Sequence, residues 1–266
     1  MENPSTEPFY RLIRRNRGYC NTITTCIKID EQEYYIPKEQ RHCFLKYFED
    51  LSVPKDKGYN SEYLELCNIR HDLISKLYAA DIKSLEPFQE EDIYKAIAQL
   101  NTGKAADEYG MVSEQLKVSD YILGPLITCI FNKILMNKAV PEIFKTGILT
   151  PVLKKLKDAT KMDNYRGITV TPVFAKLFEY VLLPKPTSYF EQSPLQFGFT
   201  KGNSMLLAAL LISESRAESK LPTAKPLFLI TVDSQTAFDV VSHVIMLDKL
   251  YETGLHPALW TIIKDF

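Results

Sequence analysis

Charge of one sign is missing from this sequence as a whole: 32 Lys and Arg stand against 33 Asp and Glu, a balance of -1. That excludes a global electrostatic footprint for nucleic acid or membrane, so any polyanion site must be local. Long hydrophobic runs are also missing. The nearest, residues 205–212 and the interrupted stretch 121–131, fall short of the roughly 18 to 20 residues a bilayer-crossing helix needs. No signal-type apolar segment follows the polar start, and an intracellular chain with no membrane partner is expected. Paired cysteine motifs are absent. Cys20, Cys26, Cys43, Cys67 and Cys129 form an odd set without a CxxC, which argues against a secreted disulfide framework, and the spacing of Cys20, Cys26, His42 and Cys43 matches no usual zinc pattern. Glycine is sparse, 10 residues with 15 prolines, while 45% of residues are hydrophobic. Disordered and collagen-like classes are thereby excluded, and 266 residues suffice for one large domain or two modest ones with a sizeable core, not for a complete multi-domain enzyme.

What is present reads as α+β. The first 85 residues are rich in Tyr, Cys and alternating charge, and within them Arg11, Arg14, Arg15, Arg17 and Lys28 make the densest basic segment, either a solvated face or a phosphate contact. Apolar residues at near-helical spacing (Tyr63, Leu66, Ile69, Leu73, Leu77) predict an amphipathic helix over 61–80 with that stripe packed. Acids at 90–92 suit the positive end of a helix dipole and start a helix over 90–100. Ser113 is expected to cap a short helix before a longer one over 121–138. Residues 148–153 and 165–171 are β-rich and flank the basic loop 154–164, so they read as a hairpin. Helices are expected over 173–183, 204–219, 244–252 and 257–264. Between them, the nearly continuous apolar run 227–232 has the length and composition of a central strand.

That strand would end in Asp233. A carboxylate at the tip of a buried strand can hold a divalent cation, since Mg²⁺ keeps several waters and takes one or two carboxylates with substrate phosphates. It can equally cap the next turn. Around it, residues 141–201 carry nine bases against five acids, a local excess that suits a polyanionic substrate. Gly198 leaves room for a close backbone approach or satisfies local packing.

Asp233 opens the string Asp-Ser-Gln-Thr-Ala-Phe-Asp followed by Val240, Val241, Ser242 and His243. This resembles the first palm motif of non-LTR retrotransposon reverse transcriptases, Asp-x-x-Lys-Ala-Phe-Asp-x-Val-x-His. Upstream landmarks follow the family's order. Residues 103–110 resemble Gly-Lys-Ala-Pro-Gly-Pro-Asp-Gly, with Asp107 and Tyr109 as departures. Residues 141–155 and 164–169 resemble the two fingers strands, with Gly167 in place of a frequent Pro, and residues 196–199 match Gln-x-Gly-Phe. By this resemblance Asp233 is the catalytic, Mg²⁺-binding aspartate, Phe238 screens out a sugar 2′-hydroxyl, and Arg166 with Lys154 or Lys155 faces the incoming triphosphate. Gln196 and Gly198 lie at the template, and Thr236 replaces the usual Lys. The implied partners are RNA template, DNA primer and dNTP; oligomeric state is left open.

The resemblance also implies a partial right-hand polymerase fold: helical fingers with a β-hairpin, an incomplete palm sheet and no thumb. Residues 1–85 correspond to the connector found between endonuclease and reverse transcriptase, and residues 86–266 to fingers and the start of the palm. The family's aromatic-x-Asp-Asp turn has no counterpart, because the sequence contains no Asp-Asp dipeptide. Two-metal transfer needs ions roughly 3.5 to 4 Å apart, more than one aspartate can hold. The expectation is therefore a reverse transcriptase fragment that is inactive alone, with its palm strand left unpaired at an edge and prone to aggregation. A noncatalytic RNA-binding module and an inactive relic or interaction protein are the alternatives.

Overall fold

The computed structural model describes residues 26–53, 58–80, 84–200, 202–221, 225–234 and 237–266. Arg11, Arg14, Arg15, Arg17, Cys20, Lys201 and Thr236 lie outside them. In chain order the elements are β1 (Ile27–Ile29), β2 (Gln32–Tyr34), α1 (Pro37–Ser52), α2 (Ser61–Ala79), α3 (Glu90–Gln99), α4 (Ser113–Val118), α5 (Asp120–Asn137), β3 (Ile148–Leu153), β4 (Tyr165–Val170), α6 (Val173–Leu182), α7 (Pro184–Thr187), α8 (Met205–Glu218), α9 (His243–Glu252) and α10 (Pro257–Asp265). The fold is α+β, mainly helical, with two two-stranded sheets, β1-β2 and β3-β4. Among the described residues no helix is long and apolar enough to cross a membrane.

The described residues of Met1–Ser52 and Leu149–Thr169 form one compact unit, and those of Val53–Ile148 and Val170–Phe266 another. Residues of the expected connector, 1–85, thus contribute to both. In the first unit β1 and β2 pair antiparallel, with Ile27 opposite Tyr34 and Lys28 opposite Glu33. The cross-strand pair Lys28–Glu33 closes at 2.6 Å, and the hydrogen bond from Lys28 holds the Glu33 carboxyl below its usual range. Helix α1 rests on the β3-β4 hairpin: the Phe44 and Tyr165 rings meet edge to face at 4.8 Å, and a Cβ at Gly167 would stand 2.9 Å from the Phe48 ring. This contact favours glycine at 167, because any side chain there meets a buried ring.

The core of the second unit lies among α3, α5, α6 and the α9-α10 pair. Phe131 and Phe178 meet at 5.0 Å and Phe88 joins Phe178 at 6.4 Å, all in edge-on geometries that suit the ring quadrupoles. Asn132 clamps Phe88 by accepting from its N–H (2.7 Å) and donating to its carbonyl (3.0 Å). Gly124 lets α5 approach α3 closely, since a Cβ there would fall 2.5 Å from the Tyr94 ring. Trp260 is fully buried and its indole donates to Leu247 O at 2.8 Å, locking α10 to α9. Helix α2 packs on this pair through Cys67, Ile74 and Tyr78, with Arg70 Nε 2.9 Å from the buried Asp248 carboxylate as an ion pair out of line for a hydrogen bond.

Three expectations fail. The run 227–232 is not a strand: it pairs with no other strand among the described residues, and Phe228, Ile230 and Val232 are each more than 80% exposed. Apolar composition favours burial, but a strand also needs a neighbour for its backbone donors and acceptors, and none is supplied here. The period-2 alignment of Leu229, Thr231 and Asp233 on a sheet face therefore does not arise. The α2 stripe is displaced as well. Leu66, Ile69, Leu73 and Leu77 are exposed, and the helix buries a different face. Ser113 is not the cap of α4: that position is Val112, whose N–H is taken by the Gln115 side chain at 2.9 Å.

Candidate nucleic-acid and nucleotide site

In the first unit the hairpin loop is held by its own polar groups. Lys154 donates from its backbone to Asn164 O (2.9 Å) and from Nζ to Asp163 O (2.7 Å). Asp158 accepts from Thr160 N (2.9 Å) and from the Thr160 hydroxyl (2.8 Å), which lowers its carboxyl below the usual 3.8, while Asn164 and Tyr165 donate to the carbonyls of Asp158 and Ala159. Leu156 takes a positive φ of 59° at the turn, fully exposed. Of the two lysine candidates, Lys154 thus braces the loop. The side chains of Lys155 and Arg166 are exposed and form no hydrogen bond or ion pair among the described residues. Both are free to meet a phosphate.

The second unit holds the remaining candidates. Asp233 is exposed, on a segment without secondary structure, and its carboxylate has no partner among the described residues. Phe238, 81% exposed, meets Phe199 edge to face at 6.1 Å, so the Gln-Phe-Gly-Phe segment touches the Asp233 motif. That segment is a tight turn: Gln196 N–H reaches Ser193 O, Gln196 Nε2 reaches Gly198 O at 3.2 Å, and the Thr200 hydroxyl reaches Gln196 O at 2.8 Å. Space beside Gly198 is open, with nothing within 4 Å of where a Cβ would stand. Next to the motif a cavity of about 360 Å³ is lined by Tyr59, Ser234, Val240, Ile245 and Met246 among others. Tyr59 closes one side by donating to Val240 O at 3.0 Å.

No three His, Cys, Asp or Glu side chains gather as a metal site among the described residues. Asp233 offers one carboxylate, which fits one anchor of a cation and not a pair of them.

Asp107 was legible only as a departure from the family string, yet it organises this part of the unit. Its buried carboxylate accepts from Tyr109 N (3.0 Å), Met111 N (2.9 Å) and Val173 N (2.9 Å). It thereby closes the 107–111 turn and satisfies the first N–H of α6. The available signal was an Asp three residues before Gly110, whose φ is 76°: the combination is that of a turn closed by an aspartate side chain.

No family model matches the chain. Over 188 residues, 68% of this chain and 20% of the relative, it is 26% identical to the probable RNA-directed DNA polymerase from transposon X-element of Drosophila melanogaster. It is 27% identical over 187 residues to the RNA-directed DNA polymerase from mobile element jockey of Drosophila funebris, again 68% of this chain and 20% of the relative. A third relative, the probable RNA-directed DNA polymerase from transposon BS of Drosophila melanogaster, is 21% identical over 236 residues, 86% of this chain and 25% of its own length. The chain spans about a fifth to a quarter of the length of these relatives. By landmarks and by alignment alike, the chain is similar to RNA-directed DNA polymerases of non-LTR retrotransposons.

Proposed function

We propose that the chain corresponds to the fingers and the opening of the palm of an RNA-directed DNA polymerase, with RNA template, DNA primer and dNTP as its substrates and partners. The observation that carries this reading is the pair Lys155 and Arg166, the first at the base of a braced basic loop and the second on the strand that follows, both open to solvent. A guanidinium grips phosphate oxygens bidentately and an ammonium acts as a point charge, so the pair suits a triphosphate or a nucleic-acid backbone. Lys154 holds the loop on which they stand. In this reading Phe238 screens the sugar, and Gln196 and Gly198 lie along the template, supported by the Phe199–Phe238 contact.

Mg²⁺ is the cofactor of this reading, with Asp233 as one carboxylate toward it. In this reading the chain does not polymerise by itself, because a cation pair needs anchors beyond a single aspartate and no cluster of three ligating side chains occurs among the described residues. Primer extension tests this: no Mg²⁺-dependent product is expected, and appreciable synthesis abolished by Asp233→Ala would overturn it.

RNA binding without catalysis is the activity left to the isolated chain. Affinity should fall steeply with salt, and Arg166→Ala with Lys155→Ala should weaken binding roughly tenfold at low salt. Lys154→Ala should act indirectly, through the loop. Binding that is absent at low salt, or indifferent to the double substitution, would sink the reading.

A further inference from the structure

Helix α2 is apolar on two faces, and among the described residues only one is covered. Cys67, Ile74 and Tyr78 face α9 and α10. At roughly 100° per residue, Leu66, Ile69, Leu73 and Leu77 form a second row about a quarter turn away. All four are exposed, Leu73 to 62%. Single exposed leucines are ordinary, but four in line along one helix make a seam of the kind that pairs helices.

We propose that this row is the interface of a two-fold dimer, in which α2 of one copy lies antiparallel on α2 of a second copy. Two features select this occupant. The first is spacing: when the row is reversed about its midpoint, Leu66 falls opposite Leu77 of the second copy and Ile69 falls within one residue, about 1.5 Å along the axis, of Leu73. The seam is its own complement, as a two-fold interface requires. The second is charge. Glu65 stands near the N-terminal end and Lys76 near the C-terminal end, both exposed and on the same flank of the row. An antiparallel two-fold sets that flank against itself with the ends exchanged, so each Glu65 meets Lys76 of the other copy. A parallel two-fold would instead set that flank against the opposite one, so that Glu65 and Lys76 would not meet. Arg70, on the other flank, is already engaged by Asp248 and Glu252. Helix α8 is more apolar still, but residues 205–213 carry no charge to select an orientation, and it supports no such assignment.

The arrangement has one unfavourable contact. Asp72 lies on the charged flank close to the dyad, where it meets its own symmetry mate. Because the seam spans only Leu66 to Leu77, the area buried falls below the roughly 1,200 Å² of a standard interface, and the dimer is weak, with association in the micromolar range.

Sedimentation equilibrium on the full 266-residue chain tests the proposal. A monomer–dimer equilibrium is expected. Leu73→Glu should lower the association constant at least about tenfold, with the far-ultraviolet circular dichroism unchanged because the position is exposed. Glu65→Lys and Lys76→Glu should each weaken the dimer roughly threefold, and the double swap should restore it. Asp72→Asn should tighten it. A single species of monomer mass at every concentration, association indifferent to Leu73→Glu, or a double swap no better than the single variants would each overturn the proposal.

Discussion

Two stretches of nearly equal apolarity meet opposite fates in this protein. Helix α6, Val-Phe-Ala-Lys-Leu-Phe-Glu-Tyr-Val-Leu, buries six of its residues, with Leu177 and Phe178 fully enclosed. The run 227–232, Leu-Phe-Leu-Ile-Thr-Val, buries none. Composition does not separate them. The difference is supply: α6 satisfies its own backbone within the helix, receives a carboxylate at its first N–H from Asp107, and is met by the rings of Phe88, Phe131 and Phe144. An extended segment cannot satisfy its own backbone, and among the described residues no strand comes to 227–232. Hydrophobic sequence states a demand for burial, and long-range partners decide whether it is met.

The sharpest way to break this comparison is amide hydrogen exchange. Amides of 227–232 lack hydrogen-bond partners among the described residues and should exchange about a thousandfold or more faster than those of 177–182, which open only with the core. Equal protection would mean that the run finds a partner in solution.

Next in size is Asp107→Ala, which removes a charged acceptor from three backbone donors at once. A loss of about 2 to 4 kcal/mol is expected, read as a lower urea midpoint with an unchanged slope. Asp107→Asn keeps one acceptor oxygen and should cost less. No change in midpoint would show that α6 is held by its rings alone. Gly124→Ala should cost less again. The added methyl gains helix propensity of about 1 kcal/mol, but it stands 2.5 Å from the Tyr94 ring, and overpacking of about 1 to 3 kcal/mol outweighs that gain.

The same contrast explains what could be read from sequence. Local signals were sufficient for α3, α5, α6, α9, α10 and the β3-β4 hairpin, whose ends fall within a residue or two of their expected positions, because capping acids, breakers and periodicity act within a few residues. The face on which α2 packs was not legible. That helix carries two apolar rows, and the choice between them is made by Leu247, Asp248 and Trp260, more than 160 residues downstream. At the candidate site the identity of Arg166 was legible from its motif, while the division of labour between Lys154 and Lys155 was not. It depends on which ammonium reaches the Asp163 carbonyl across the loop.

Phe228→Ser sharpens the comparison with the smallest effect on folding. In α6 a large aromatic replaced by serine would leave a cavity and cost about 3 to 5 kcal/mol. At 228 the side chain is 84% exposed, so the same chemical change should move the unfolding midpoint by less than about 0.5 kcal/mol. Its consequence should appear elsewhere. A β-prone apolar run open to solvent is a template for pairing with other chains, and removing its ring should slow aggregation while leaving stability alone. Light scattering during incubation at constant protein concentration reads the first quantity and urea denaturation the second. A large drop in stability with no change in aggregation would reverse the assignment and place Phe228 inside a core.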